Sequence, residues 1–224
     1  MRFQTQSQNM TKQSLLETNK VLKNTYMLLS MTLGFSALVS YLTIAAGVPG
    51  PGLIVTLVGM IGLSMLTQSL RNSPLGILAV FAFTGFMGYV LGPIISMYLS
   101  SFANGAQLVY TALGATGITF FTLSTYVMTT GKNFDFLGGM ILAGMSIAFV
   151  LVLLGVFFNF GIGHLLINGL IALMASASIL YQTSAIIHGG ERNYIVATVS
   201  LYCSLFNLFV SLLQIFAQLA GNRD

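Results

Sequence analysis

The chain has 224 residues, of which 56% are hydrophobic and only 5% are charged, and its formal net charge is +4. A soluble domain of this size carries about 25% charged residues, so the composition excludes a soluble globular protein. Apolar runs of about 20 residues cross bilayers as helices, and this chain contains several such runs. The sequence therefore predicts an all-α integral membrane protein.

The N-terminal segment, residues 1–23, is polar, and its few large apolar side chains cannot form a core of their own. Its basic residues are Arg2, Lys12, Lys20 and Lys23. The segment is too long and too polar for the start of a signal peptide, and no small-residue cleavage site follows the first apolar run. We interpret residues 1–23 as a cytoplasmic tail and residues 24–224 as one membrane domain.

Seven apolar segments follow the tail. The predicted spans cover residues 25–47, 53–70, 75–99, 108–129, 136–158, 165–187 and 194–220. With seven spans, the tail and the loops after the second, fourth and sixth spans share one side of the membrane, and that side holds seven of the eight basic residues. Because Lys and Arg concentrate on the cytoplasmic side, we predict a cytoplasmic N-terminus and a periplasmic C-terminus. The basic residues flank spans and set topology, so they do not indicate nucleic-acid binding.

The seventh span carries a stripe of neutral polar side chains at intervals of three and four residues, which places them on one helical face. The stripe comprises Asn193, Ser200, Ser204, Asn207, Ser211, Gln214 and Gln218. Unpartnered polar groups cost several kcal/mol each in hydrocarbon, so this face is expected to point inward and the seventh helix to be central. The polar residues of the sixth span, roughly along one face, are His164, Asn168, Ser178 and Gln182.

Two roles fit these polar side chains. One is interhelical hydrogen bonding, which contributes about 0.6 kcal/mol per contact in membrane helices. The other is the lining of a polar cavity. We favour hydrogen-bonded packing, because neither stripe contains a carboxylate or a basic residue. Glycines at helical spacing in the third span, among them Gly88 and Gly92, likewise indicate closely packed helices.

The chain offers few groups for catalysis or metal binding. Its acidic residues, all in the tail, loops or terminus, are Glu17, Asp135, Glu191 and Asp224. His164 and His188 lie at opposite ends of the sixth span and cannot share a metal ion, and the lone Cys203 is most simply a small buried residue. No catalytic residue, metal or cofactor is predicted, and the chain is expected not to be an enzyme.

A remote alternative is an intramembrane hydrolase. The stretch GLSM, residues 62–65, is similar to the serine motif of intramembrane rhomboid proteases. Its fourth position is Met65 rather than glycine, and the partner histidine would have to be His164 at the outer end of the sixth span. Ser64 is more simply a helix-packing hydroxyl.

The loop after the sixth span contains His188, Glu191 and Arg192. His188 follows the C-terminus of that helix, where a cation interacts favourably with the helix dipole. A histidine at this place can also sense pH, and we favour the structural role.

Five stretches, spread over most of the chain, resemble one known family in their order and spacing. They are NKVLKNTYMLLSMTL, PGLIVTLVGMIGL, FAFTGFMGYVLGPI, FLGGMILAGM and IIHGGERNYIVATVSLY. They make the chain similar to the Bax inhibitor family of seven-span proteins, closest to its enterobacterial YccA branch. The resemblance extends over about residues 16–216, and it implies a fold in which six helices surround a central seventh.

The resemblance also implies a candidate polar core. Many family members have one aspartate directly after Leu-Tyr in the sixth span and another two positions after Leu-Tyr in the seventh, and this pair shares a proton and gates a pH-dependent calcium leak. The matching positions here are Gln182, in ILYQT, and Ser204, in LYCSLFN. Neither can titrate near neutral pH or offer the charge that calcium favours. A family leak in this chain is therefore expected to be weak or insensitive to pH.

The YccA branch implies a partner, the membrane-anchored AAA+ protease FtsH with its companions HflK and HflC. Members of the branch are both substrates and modulators of that protease. We therefore interpret the chain as a multi-pass protein of the bacterial inner membrane, surrounded by lipid, that modulates FtsH-type proteolysis and is also its substrate. The polar tail is either the handle for that protease or only a topology signal, and the resemblance favours the handle. The alternative is a cation or calcium leak channel of the same family.

Overall fold

The computed structural model describes residues 2–157 and 163–221, with side chains described over residues 18–155 and 164–221. Its helices are α1 (Arg2–Ala45), α2 (Gly52–Ser69), α3 (Leu75–Ser101), α4 (Gly105–Thr130), α5 (Leu137–Phe157), α6 (Gly163–Ile187) and α7 (Tyr194–Gly221). All seven are long and apolar enough to cross a membrane, and the described ranges contain no strand. The prediction of an all-α protein with seven transmembrane helices is confirmed. The predicted end of the fifth span at residue 158 and the terminal Asp224 lie outside the described residues.

Helix α1 is longer than the predicted first span, because it begins at Arg2 and runs through the predicted tail without a break. No glycine or proline occurs before Gly34, so the strongest helix breakers are missing from this region. The membrane-spanning part of α1 is Thr18–Ala45, which begins earlier than the predicted residue 25. The division between tail and membrane domain remains a prediction, and the described part of that tail is helical.

Helix α7 lies against α1, α2, α3, α4 and α6. Its side chains Leu201, Tyr202 and Leu205 are buried in the main core, together with Phe83 of α3 and Ile179 of α6. Burial of these large side chains removes apolar area from contact with lipid and fixes α7 among its neighbours by close packing. The helix that carries the polar stripe is therefore mostly enclosed.

Helix α5 takes a peripheral place. Along the described residues it packs against α6 alone, so the predicted arrangement of six helices around a central seventh is not confirmed. The sequence of α5 is apolar around its circumference except for Ser146, whose hydroxyl donates to the Leu142 carbonyl of the same helix at 2.8 Å. A helix without a polar face has no side chain whose exposure to lipid costs free energy, so α5 is stable at the periphery of the bundle.

Helices α1 and α3 approach closely at two glycines of α3. Gly88 lies against the Ser36 carbonyl, and Gly92 lies against Ser40 and Thr43. A Cβ atom at Gly92 would come within 2.9 Å of the Ser40 carbonyl oxygen, so any side chain there would push the helices apart. The prediction that these glycines serve helix packing is confirmed. We refer to this contact, formed by Gly88 and Gly92 against Ser36, Ser40 and Thr43, as the α1–α3 seam.

Three loops meet at one end of the bundle, where they follow α2, α4 and α6. Gly131 ends α4 with a left-handed φ of +60°, and Gly189 follows α6 with a φ of +74°. Residues with side chains rarely adopt such values, so glycine allows both loops to turn sharply. We call this the basic end of the bundle, and its basic residues are Lys20, Lys23, Arg71, Lys132 and Arg192.

Candidate functional site

The two positions of the family dyad lie on adjacent helices, α6 and α7. Gln182 is half-buried on α6, and Ser204 on α7 is only 5% exposed. The Ser204 hydroxyl donates to the Ser200 carbonyl of its own helix at 3.0 Å. Among the described side chains no hydrogen bond joins Gln182 to Ser204, so a functional pairing of these positions remains a prediction.

Buried hydroxyl groups close to the dyad positions connect α1 to α6 and α7. The Tyr202 hydroxyl lies 2.6 Å from Ser36 Oγ, and these side chains are 1% and 4% exposed. The Tyr26 hydroxyl lies 3.4 Å from Thr183 Oγ1. Neither contact was predicted from the sequence, although Tyr202 belongs to the same Leu-Tyr motif that located the dyad. Tyr202 of the motif therefore has a structural role, which is to join α7 to α1, and the two dyad positions alone do not indicate that role.

A cavity of about 290 Å³ lies between α5, α6 and α7, toward the end of the bundle opposite the basic end. Most of its wall is apolar, but it collects several polar side chains, and we call it the polar cavity. Helix α7 contributes Asn207, Ser211 and Gln214, which belong to the predicted stripe. Helix α6 contributes His164 and the buried Asn168. The structure thus brings the outer parts of the two polar stripes together around one space.

The polar stripe of α7 meets two different environments along its length. Nearer the basic end, the Ser204 hydroxyl is satisfied by the carbonyl of Ser200. Farther out, Asn207, Ser211 and Gln214 face the cavity and form no side-chain hydrogen bond within the part of the chain that the structure describes. These three side chains therefore do not form the interhelical hydrogen bonds that we favoured for the stripe. Amide and hydroxyl groups around a space of this size are suited to hold water or a polar solute.

His188 connects the end of α6 to the loop between α4 and α5. Its Nδ1 lies 2.9 Å from the Ser184 carbonyl oxygen, and its Nε2 lies 3.1 Å from the Gly131 carbonyl oxygen. Carbonyl oxygens only accept hydrogen bonds, so a doubly protonated imidazolium donates to both, whereas a neutral ring donates to one. The contact with a last-turn carbonyl suits a cation at a helix C-terminus. A pH-sensing role of this loop remains a prediction.

Glu191 and Arg192 are each held by a backbone group nearby. Glu191 Oε1 accepts a hydrogen bond from the Asn193 N–H at 2.7 Å. Arg192 Nε donates to the Gly189 carbonyl at 3.2 Å, and the side chain as a whole is exposed. These two bonds orient the charged groups of the loop without pairing them with each other.

Asn193 starts α7 and also ties it to a second loop. Its Oδ1 accepts from the Ile195 N–H at 3.0 Å, which is the hydrogen bond of a helix N-cap. Its Nδ2 donates to the Arg71 carbonyl at 2.9 Å, in the loop between α2 and α3. Our sequence analysis assigned Asn193 to the polar stripe. An asparagine directly before an apolar helix is a capping signal, so the N-cap role of Asn193 could have been predicted from its position.

The structure places the other candidate groups apart. Within the described residues, no three His, Cys, Asp or Glu side chains come together as a metal site. Ser64 of α2 makes no hydrogen bond to His164 among the described side chains, and His164 lines the cavity between α5, α6 and α7. Cys203 carries a free thiol and is half-buried on α7.

Comparison with known proteins finds one matching family and several relatives. The family model described as inhibitor of apoptosis-promoting Bax1 matches residues 18–221, so the match begins with the membrane-spanning part of α1. The modulator of FtsH protease YccA of Escherichia coli strain K12 is 52% identical over 202 residues, which is 90% of this chain and 91% of that protein. The inner membrane protein YccA of Escherichia coli O6:H1 has the same identity over 202 residues, with the same coverage of 90% and 91%. An uncharacterised protein of Pseudomonas aeruginosa is 51% identical over 208 residues, 93% of either chain.

Proposed function

Because the chain belongs to the Bax inhibitor family, we propose that it is an inner-membrane modulator, and also a substrate, of FtsH-type proteolysis. The observation that carries this proposal is the 52% identity, over 90% of the chain, to a protein named as a modulator of FtsH. In this role the protein acts by binding and has no chemical step of its own. HflK and HflC are the further partners that the proposal includes.

The N-terminal extension of α1 supports engagement by a protease. Residues 2–17 continue the helix beyond its spanning part at Thr18, and this extension is roughly 24 Å long at about 1.5 Å per residue. An isolated helix of about this length is only marginally stable in water. An ATPase that pulls on the N-terminus therefore needs little work to unravel it, which makes the extension a suitable segment to grip.

The proposal requires this extension to lie in the cytoplasm, and the loops at the basic end support that orientation. The loop after α6 bonds to the loop after α4 through His188 and to the loop after α2 through Asn193. Their basic residues Arg71, Lys132 and Arg192 are therefore gathered at one end, as the positive-inside rule expects for the cytoplasmic side. Lys20 of α1 lines a cavity with Arg192, so the N-terminal extension leaves the bundle at the same end.

Deletion of residues 2–12 tests the proposal, since it shortens the extension and keeps Lys20 and Lys23 for insertion. The shortened protein should have a longer half-life than the full chain in cells with active FtsH, and an equal half-life in cells without it. A matched control scrambles residues 2–12, which keeps length, composition and charge, and should be degraded like the unmodified chain. Affinity purification of the full chain from native membranes should recover FtsH. Unchanged turnover of the deletion, together with no recovered FtsH, would refute the proposal.

The polar cavity between α5, α6 and α7 favours a second candidate function, a weak cation leak that does not respond to pH. Asn207, Ser211 and Gln214 offer oxygen atoms to a cation but no negative charge. Purified protein in liposomes, without partners, should then pass little calcium. The rate should be equal at about pH 6 and at about pH 8, because amide and hydroxyl side chains do not titrate in this range. A leak that changes strongly with pH would contradict this and would direct attention to His188 and Glu191.

A further inference from the structure

A cavity of about 430 Å³ lies at the basic end, between α1 and the loop that joins α6 to α7. Its polar side chains include Lys20 and Asn24 of α1, Arg192 of the loop and Tyr194 of α7. Its apolar side chains are Val21, Ile186 and Ile187. We call this space the basic cavity. It combines cations with an apolar wall at the level where the helices leave the membrane.

Among the described side chains that line the basic cavity, positive charge exceeds negative charge. Lys20 and Arg192 form no ion pair among the described side chains. Glu191 also lines the cavity, and its Oε1 is already engaged by the Asn193 N–H at 2.7 Å. Two permanent cations therefore face one carboxylate, so the cavity attracts an anion. His188 lines it as well and adds to that attraction whenever its ring is protonated.

We propose that the basic cavity binds the phosphate-bearing headgroup of an anionic phospholipid. Basic pockets between transmembrane helices bind such headgroups, because Lys and Arg neutralise the phosphate at the membrane surface. The Asn24 amide and the Tyr194 hydroxyl are further hydrogen-bond donors for phosphate or glycerol oxygens. The apolar wall distinguishes a lipid from free phosphate, since only the lipid has apolar carbons to place against the isoleucines.

This site is separate from the features described above. The dyad positions and the polar cavity between α5, α6 and α7 do not contribute to its lining. Lipid binding here does not depend on the proposed link to FtsH, because it rests on the charges and shape of the cavity. A bound lipid would bridge α1 to the α6–α7 loop and hold the N-terminal extension against the rest of the bundle.

The test measures lipid binding to the full chain by native mass spectrometry in detergent. Phosphatidylglycerol and phosphatidylethanolamine with the same acyl chains are titrated separately, and we expect tighter binding of phosphatidylglycerol. The double variant Lys20→Gln and Arg192→Gln should bind phosphatidylglycerol roughly 10- to 30-fold more weakly, given the effect of each basic residue near an anionic lipid surface. Its binding of phosphatidylethanolamine should change little.

Two control variants separate the cavity from general surface charge. Arg71→Gln with Lys132→Gln removes the same charge from the same end, outside the cavity, and should keep the affinity of the unmodified chain. Lys20→Arg with Arg192→Lys keeps both charges and should retain phosphatidylglycerol binding. If the double glutamine variant loses helical content, the single Arg192→Gln variant provides the comparison, because that side chain is exposed.

Three outcomes would overturn the proposal. An equal loss of phosphatidylglycerol binding in the Lys20/Arg192 and Arg71/Lys132 variants would show that only surface charge matters. Displacement of the lipid by glycerol phosphate at a similar concentration would assign the cavity to a soluble phosphate and would refute the lipid assignment. Unchanged binding after loss of both cavity cations would exclude the cavity as the site.

Discussion

Loss of the buried hydrogen bond between Tyr202 and Ser36 should destabilise the bundle measurably. This bond joins α7 to α1 over 2.6 Å, and both side chains are almost completely enclosed. Tyr202→Phe removes the hydroxyl but keeps the ring, which packs edge-on against Phe83 with centroids 5.9 Å apart. The change therefore keeps the packing of the ring and removes both contacts of the hydroxyl, which also donates to the Thr84 carbonyl at 3.4 Å.

The expected size follows from the environment of the bond. Interhelical hydrogen bonds in membrane proteins contribute about 0.6 kcal/mol on average and at most about 1.7 kcal/mol. A short bond between side chains that are 1% and 4% exposed, in the low-dielectric interior of the bundle, belongs in the upper part of this range. We therefore expect a coupling free energy between Ser36 and Tyr202 of about 1 to 1.7 kcal/mol.

A double-mutant cycle measures that coupling. The free energy of unfolding is determined by SDS titration in mixed micelles for Ser36→Ala, Tyr202→Phe and the double variant. The control cycle pairs Tyr202→Phe with Thr67→Val, because the buried Thr67 hydroxyl donates to the Leu63 carbonyl of its own helix at 2.8 Å. The control coupling should stay below about 0.5 kcal/mol, the usual limit for independent sites. A Ser36–Tyr202 coupling below about 0.3 kcal/mol would show that this hydrogen bond does not stabilise the bundle.

Three further predictions concern packing, the basic end and orientation. Gly88→Leu should lower the free energy of unfolding by at least about 2 kcal/mol in the same titration, because the new side chain would meet the α1 backbone. The control Gly114→Leu lies on open helix surface and should change the free energy of unfolding by less than about 0.5 kcal/mol. His188→Ala should cost about 1 to 2 kcal/mol through loss of its loop contacts, and His164→Ala should cost less. A reporter that is active only in the periplasm should function at the C-terminus and fail when inserted beside Lys132; the reverse result would contradict the seven-span orientation.

Several helix boundaries could be predicted from the sequence because specific residues mark them. The predicted starts at residues 75 and 194 coincide with the first residues of α3 and α7. Pro74 precedes α3 and Asn193 precedes α7, and both are common at helix starts. The first span was predicted to begin near residue 25, whereas the spanning part of α1 begins at Thr18 and the helix itself at Arg2. No breaker residue separates the polar segment from the span, so the sequence offers no mark for this boundary.

The candidate site was harder to predict, because its contacts join distant parts of the chain. The inward face of α7 was identified from the spacing of its polar side chains, and Ser204 and Ser211 are indeed buried. The peripheral place of α5 has no sequence signal, since a helix that is apolar on every side can face lipid or protein equally well. The bond from His188 to Gly131 likewise depends on how two loops meet, which residue spacing within one helix does not reveal.

The unbroken course of α1 has a mechanical consequence. A chain pulled from Arg2 unwinds along one helix, and no glycine or proline interrupts it before Gly34. The resisting force should therefore stay low and nearly constant until unwinding reaches the membrane surface near Thr18. Beyond Thr18 the helix first has to leave its contacts at Tyr26 and Leu29, and the α1–α3 seam begins only at Ser36, about 27 Å farther along. In a force-extension record, a low approach should therefore be followed by a rise in at least two steps, and the height of the later step should depend on the two glycines of the seam.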